Sequence, residues 1–182
     1  VDWLEWLERW FERMYRVRPI GPGGYIFRLS VVRYRGPVLR FSDGTVVRPG
    51  SLVGELHMDN RRAAALHKEG KAGFRFRSEV LRCLPALAHD LATRPEYEGI
   101  QAVCGASLFW QEATRVGFEH RPFPLVTRWW LGWWERFLLG RYHPGGRDRL
   151  ARGNRTEVRQ VWITRRTLLS RYYREPRETS EP

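Results

Sequence analysis

The chain has 182 residues, enough for one domain with a real core. Its formal net charge is +12, carried by 30 Arg and only two Lys (Lys68 and Lys71), and 14% of its residues are aromatic, nine of them Trp. No run of about 18 uninterrupted apolar residues occurs, which excludes an obvious membrane-spanning helix. The two cysteines, Cys83 and Cys104, have neither CxxC nor Cys/His spacing, which argues against a zinc site.

The Arg excess has two readings. One is a polyanionic partner: nucleic acid, anionic lipid or acidic polysaccharide. The other is a GC-rich genome that writes Arg where others write Lys. The charge is spread rather than clustered, which favours the second.

In chain order, residues 1–20 hold an amphipathic helix. Trp3, Leu4, Leu7, Trp10, Phe11, Met14 and Tyr15 recur at helical spacing, with acids early and Arg late. Such a helix docks on a core, on a neighbouring domain or at a membrane interface. Ile20-Gly21-Pro22-Gly23-Gly24 is a turn, after which the period changes to two. Strands are expected from Tyr25 to about Tyr34, Val38 to Phe41, Thr45 to Val47 and Ser51 to His57, with Ser42-Asp43-Gly44 as a hairpin signal. Together they read as a small antiparallel meander with Arg at its rim. Asp59 or Asn60 then caps a helix over 61–67. His57, Glu55 and Asp59 are candidate acid–base residues, because they fall at the end of a strand, where ligands often bind.

Lys68-Glu69-Gly70-Lys71-Ala72-Gly73 opens a long helix whose apolar face is Val80, Leu81, Leu84, Leu87, Ala88 and Leu91, with Pro85 expected to kink or restart it. A loop of this kind can cradle a phosphate through backbone N–H groups, here Gly70, Lys71 and Ala72, although the P-loop spacing is missing. Ile100 to Cys104 reads as a buried central strand, Ser107 as the cap of a short helix, and Gly117 as that helix's left-handed end. Residues 125–142 form a Trp-rich helix, apolar nearly all round, in which Trp130 and Trp134 are candidate glycan contacts. The following Gly/Arg loop offers an anion patch at Arg147, Arg149 and Arg152. Val158 to Ile163 is a last strand, Thr164 caps a final helix to Tyr172 or Tyr173, and 174–182 is a polar, disordered tail.

The fold expected is α/β (α+β): a single domain over 21–173 with a mixed, mostly antiparallel sheet flanked by helices. No paired-carboxylate, H-E-x-x-H, G-x-S-x-G, G-x-G-x-x-G or zinc motif is present. Any site is therefore assembled in three dimensions, and no metal is expected.

Two resemblances add to this reading. Phe41-Ser42-Asp43-Gly44-Thr45, Val53-Gly54-Glu55-Leu56-His57-Met58-Asp59-Asn60, the 99–118 unit and Val161-Trp162-Ile163-Thr164-Arg165-Arg166 resemble the YkoP-like family of bacteria, over roughly 25–172. Members occur alone or attached to a polysaccharide deacetylase domain, and no established activity carries over. The resemblance implies a non-catalytic accessory domain of cell-envelope polysaccharide metabolism. Its partners would be a deacetylase domain in cis or trans, and glycan or an anionic membrane surface. It implies no cofactor, and nucleic acid is disfavoured. With neither a signal peptide nor a spanning segment in view, the expected location is cytoplasmic or peripheral at the cytoplasmic membrane. The element order also resembles the GNAT acyltransferase fold. His67-Lys68-Glu69-Gly70-Lys71-Ala72 fits that fold's pyrophosphate loop except at its first position. This implies the alternative of an acyl-CoA-dependent N-acyltransferase, with acetyl-CoA held at Gly70–Ala72 and His57 or Glu55 as base.

Overall fold

A computed structural model describes residues 17–58, 72–107, 110–123 and 159–175. The expected first helix, Asp59, the helix over 61–67, Gly70 and Lys71, the Trp-rich helix with Trp130 and Trp134, Arg147, Arg149, Arg152 and the tail lie outside the described residues.

The described elements are β1 (Arg18–Pro19), β2 (Phe27–Arg33), β3 (Leu39–Arg40), β4 (Val46–Val47), β5 (Leu52–Met58), α1 (Ala72–Thr93), β6 (Ile100–Ser107), α2 (Trp110–Arg115), β7 (Glu119–Arg121), β8 (Arg159–Thr164) and α3 (Arg165–Tyr172). Six strands form one sheet in the order β1-β2-β5-β6-β8-β7, and β3 and β4 form a separate hairpin. All neighbours in the large sheet are antiparallel except β5 and β6. This is the single mixed α+β domain the periodicities predict, although the four early strands do not form one meander. β2 pairs directly with β5, and the hairpin between them folds out of the sheet.

Alternation along the strands makes two faces. Leu29 on β2, Val103 on β6, and Val161 and Ile163 on β8 pack under Cys83, Leu84, Leu87, Ala88 and Leu91 of α1 and Leu168 of α3. Each such Leu or Ile contributes about 1.5–3 kcal/mol through burial. Ile100 and Val103 share this face despite being three residues apart. The register shifts between Leu52 and Val53, so that β6 spends an extra residue against β5. Gly54 lets β5 lie close here: a Cβ on it would sit 2.9 Å from Leu29 Cδ1 and 3.3 Å from Val103 Cγ2.

On the opposite face the hairpin covers one end of the sheet. Leu39, Phe41 and Val47 pack on Val53, Ala102 and Trp162. The Trp162 ring meets Tyr34 edge-on at 5.7 Å between centroids. Asp43 pins this cover down. Its carboxylate accepts hydrogen bonds from the Thr45 N–H (2.9 Å), the Thr167 hydroxyl (3.1 Å) and the Thr164 hydroxyl. Thr164 in turn caps α3, accepting from the Thr167 N–H at 3.0 Å, as its position in the sequence predicts.

Three local expectations change. α1 runs unbroken through Pro85, which lies on the exposed face, so the carbonyl it strands is open to water. β6 continues three residues past Cys104, so Ser107 is a strand residue and not the start of a helix. His120 and Arg121, expected in an extended link, pair as β7 against β8. Gly117 does end α2 with φ 100°: its N–H reaches the Thr114 carbonyl, and the Phe118 N–H reaches Ala113, burying Phe118. Cys83 and Cys104 are both free thiols, the first on the buried face of α1 and the second on the hairpin face of the sheet.

Two outcomes are expected. Gly54→Ala should lower the unfolding free energy by about 1–3 kcal/mol through overpacking against Leu29, measured by urea denaturation. Burial alone would raise the Asp43 carboxyl, but its hydrogen bonds from Thr164, Thr45 and Thr167 outweigh this and hold it below the usual carboxylate range. Its stabilising contribution is therefore complete above the unfolded value of about 3.9 and disappears as pH falls through the lower folded value. Asp43→Asn should be less stable than wild type at pH 6, and the gap should narrow towards pH 2.

Candidate functional site

The site begins with strand register. On the hairpin face, Ser30 stands opposite Glu55, Glu55 opposite Cys104, Cys104 opposite Trp162, and Trp162 opposite Glu119. One step along, Arg28 faces His57. The hairpin covers the Trp162 end of this surface; Cys104 packs against the cluster it forms there, and Glu55, Ser30 and His57 follow across the sheet. Of the residues the sequence singles out, Glu55 and His57 are therefore brought together on one strand, two residues and roughly 7 Å apart. Ala72 is the first residue of α1. The other candidates named above lie outside the described residues.

The register also ends in an informative place. The ladder between β5 and β6 stops at Glu55 and Cys104. Beyond it, β5 stays paired with β2 as far as Met58, and β6 stays paired with β8 as far as Ser107. Beyond this pair β5 and β6 are laddered only on their outer sides; that unladdered stretch is the wedge, with Glu55 and Cys104 at its apex. The strands still touch one step on: a Cβ on Gly105 would lie 3.5 Å from Leu56 Cβ, so the glycine allows a close approach on the helix-covered face.

Topology sets the direction of α1. A helix that links two parallel strands must run back along them, and Cys83, halfway along α1, is beside Phe27, the partner of Met58 at the end of β5, so the helix starts beyond that end of the sheet. Its first turn carries no acidic residue. The positive end of its dipole is left without a neutralising carboxylate in that turn.

Glu55, His57 and Cys104 bring three ionisable groups to the apex. Glu55 is largely buried, and burial raises its carboxyl above the ordinary Glu value. His57 is half-buried, and its Nε2 lies 2.8 Å from the Ser30 hydroxyl, which is fully buried. Burial raises the Cys104 thiol, and the neighbouring Glu55 charge raises it further; burial pushes the Cys83 thiol up to about 12. Both thiols stay protonated at neutral pH, so neither is an activated nucleophile. Among the described residues, no group of three or more His, Cys, Asp or Glu is placed to hold a metal ion, and no helix is long and apolar enough to cross a membrane.

Ser30 and Cys104 escape sequence reading because only register places them beside Glu55. A second cluster escapes it for the same reason. At the far edge of the sheet the Arg159 guanidinium lies over the Trp110 ring at 4.3 Å, and the His120 ring lies 4.4 Å from the same indole. An open cleft of about 360 Å³ between α1 and α3, lined by Pro85, His89, Arg171, Tyr172 and Arg174, shares no residue with the wedge.

The raised Glu55 carboxyl has a consequence for stability. Between the unfolded value of about 4.3 and the higher folded one, the unfolded chain ionises first, so stability falls as pH rises through that window. Glu55→Gln removes this loss. It should be more stable relative to wild type at pH 7 than at pH 4, read from thermal unfolding at the two pH values.

The family model of the YkoP domain matches residues 1–172. The chain is similar to the uncharacterized protein YkoP of Bacillus subtilis (strain 168), with 22% identity over 98 residues, covering 52% of this chain and 54% of that protein. The chain thus spans about half the length of this curated relative. No solved structure gives a significant match. With the family model covering nearly the whole chain, the chain belongs to the YkoP domain family.

Proposed function

We propose that this member of the YkoP domain family binds an acyl-CoA-type thioester in the wedge between β5 and β6 and transfers the acyl group to an amine. The observation that carries the proposal is the end of the parallel ladder at Glu55 and Cys104 while both outer ladders continue. Two strands that leave their shared ladder early offer facing edges of main chain to a slim ligand that itself carries amides, as the pantetheine arm does. The α1 N-terminus at the same end of the sheet favours phosphate. The loop over 59–71, with Gly70 and Lys71, leads into that helix start, and Ala72 begins the helix itself. The element order, with the last strand inserted beside β6, also resembles the GNAT arrangement.

In the transfer, the amine nitrogen attacks the thioester carbonyl carbon. A C–N bond forms and the C–S bond breaks, its electron pair leaving with sulfur. The amine gives up a proton to Glu55 or His57, and the thiolate takes one up. A carboxyl raised by burial suits that exchange near neutral pH. Because acyl-CoA is an intracellular donor, this reading puts the chain in the cytoplasm or at the inner surface of its membrane.

A second reading is favoured by the Arg159–Trp110–His120 stack. An aromatic platform next to Arg suits a sugar ring, as an accessory domain acting beside a polysaccharide deacetylase domain in the cell envelope would need. That reading needs no cofactor.

Thermal-shift titration separates the two. Acetyl-CoA at about 100 times its dissociation constant should add about 2.7 kcal/mol to stability and raise the melting temperature. Gly105→Leu, which fills the wedge, should abolish the shift while the protein stays folded. No shift at millimolar acetyl-CoA would overturn the acyltransferase reading and leave the glycan contact, to be tested by oligosaccharide titration of wild type and Trp110→Ala.

A further inference from the structure

Among the described residues, three polar side chains are buried: Ser30, Asp90 and Thr164. The structure explains two of them locally. Asp90 accepts from the Gly21 N–H at 2.6 Å and pairs with Arg94 Nε at 3.0 Å. Thr164 caps α3. Ser30 caps nothing. It sits in the middle of β2, where an apolar residue would pack without the cost of burying a hydroxyl. Its hydrogen bond runs to the Nε2 of His57 on the neighbouring strand, at 2.8 Å.

We propose that Ser30 is a positioning residue: it holds the ring of His57 in one orientation and one tautomer, so that His57 carries the amine proton at the mouth of the wedge. The inference rests on the acyl-transfer reading and adds to it a residue that neither the sequence nor the family points to. A serine beside a histidine invites the other reading, an activated nucleophile. Burial decides between them. The Ser30 side chain has 0% exposure, whereas His57 is only half-buried. The hydroxyl is sealed from any acyl donor, while the ring it holds reaches solvent. A buried hydroxyl that fixes one ring nitrogen sets what the imidazole can do elsewhere, the usual way an enzyme selects a histidine tautomer.

Strand register also places charged groups near the ring: Arg28 stands directly across on β2, Glu55 lies two residues back on the same strand, and Cys104 faces Glu55 from β6. The Ser30 bond acts on the orientation of the ring, and its removal leaves these neighbours in place.

The test uses the full chain, with His57 followed by ¹⁵N NMR of the ring and turnover followed with acetyl-CoA and a small primary amine. Ser30→Ala removes one oxygen and should leave the fold intact. It should change the His57 tautomer ratio and lower kcat about tenfold to a hundredfold, with KM for acetyl-CoA within twofold. Ser30→Thr, which keeps the hydroxyl, should restore the wild-type tautomer ratio and most of kcat. An unchanged His57 spectrum in Ser30→Ala would overturn the positioning role, whatever the activity does. An altered spectrum in a wild type and variant that both fail to bind or turn over acetyl-CoA would overturn the acyl-transfer reading, and with it the proton-carrying role, while leaving the contact itself established. A covalent acyl adduct on Ser30, detected by mass spectrometry of wild type mixed with acetyl-CoA, would replace positioning by nucleophilic catalysis.

Discussion

The architecture depends on one parallel contact in an otherwise antiparallel sheet. β5 and β6 run the same way because 41 residues, including α1, separate them and carry the chain back across one face. Every other pairing in the large sheet is antiparallel, so the sheet is two antiparallel ribbons joined along β5 and β6. That joint is short. It is offset by the register shift at Leu52/Val53 at one end and abandoned after Glu55/Cys104 at the other. Each ribbon twists with its own partners, and the ladder does not hold them together past Glu55 and Cys104. The early end of the joint is thus a consequence of topology, and Glu55 and Cys104 stand at it.

The two faces of the sheet divide the work. The helix face is closed by α1 and α3 over an apolar layer whose packing fixes the strand spacing, with Gly54 making the closest approach. Among the described residues, the β3–β4 hairpin roofs part of the other face. The roof is held by polar as well as apolar contacts: Leu39, Phe41 and Val47 pack on the sheet, Asp43 binds the threonines at the start of α3, and Glu119 on β7 accepts from the Ser42 N–H at 2.8 Å and the Ser42 hydroxyl at 2.7 Å. These clamps hold the turn just after Phe41, and Arg121 reaches the Arg40 carbonyl just before it. The hairpin's edge sets the boundary between apolar Trp162 and the row of Ser30, Glu55 and His57. The same clamp joins the site's boundary to the cap of α3.

Periodicity carried the fold far. The change from period 3.6 to period two, the hairpin signal at Ser42-Asp43-Gly44, the glycine end of α2 and the Thr164 cap are local devices, and each is written in adjacent residues. What sequence could not supply was pairing. A strand pattern states that Ser30, Glu55 and Cys104 share sheet faces with their own strands' alternate residues, but not that these three stand in one row. That requires register across two different ladders, one antiparallel and one parallel. The same limit explains why β3 and β4 read as part of a meander: their alternation is sound, but nothing local says that the hairpin folds over the sheet instead of extending it. Ser107 reads as a cap because the apolar run stops at Cys104, before Gly105; in the structure that glycine sits inside the strand, where β6 passes Leu56.

The arginine excess looks different once the contacts are visible. Arg165 donates to the carbonyls of Leu91 and Tyr97, closing the C-terminal end of α1 and the turn after it. Arg94 reaches Gly21 O at 2.8 Å, Arg121 reaches Arg40 O, Arg33 reaches Gly50 O at 3.1 Å, and Arg166 reaches Asp43 O at 2.9 Å. Five guanidinium groups thus satisfy main-chain acceptors at turns and element ends, joining segments far apart in sequence. A guanidinium offers five donors in a rigid plane and bridges two carbonyls at once, as Arg165 does, whereas a lysine ammonium is a point charge on a flexible stem. Part of the +12 charge is therefore structural. It carries the loops of this fold, and its presence alone does not argue for a polyanionic partner.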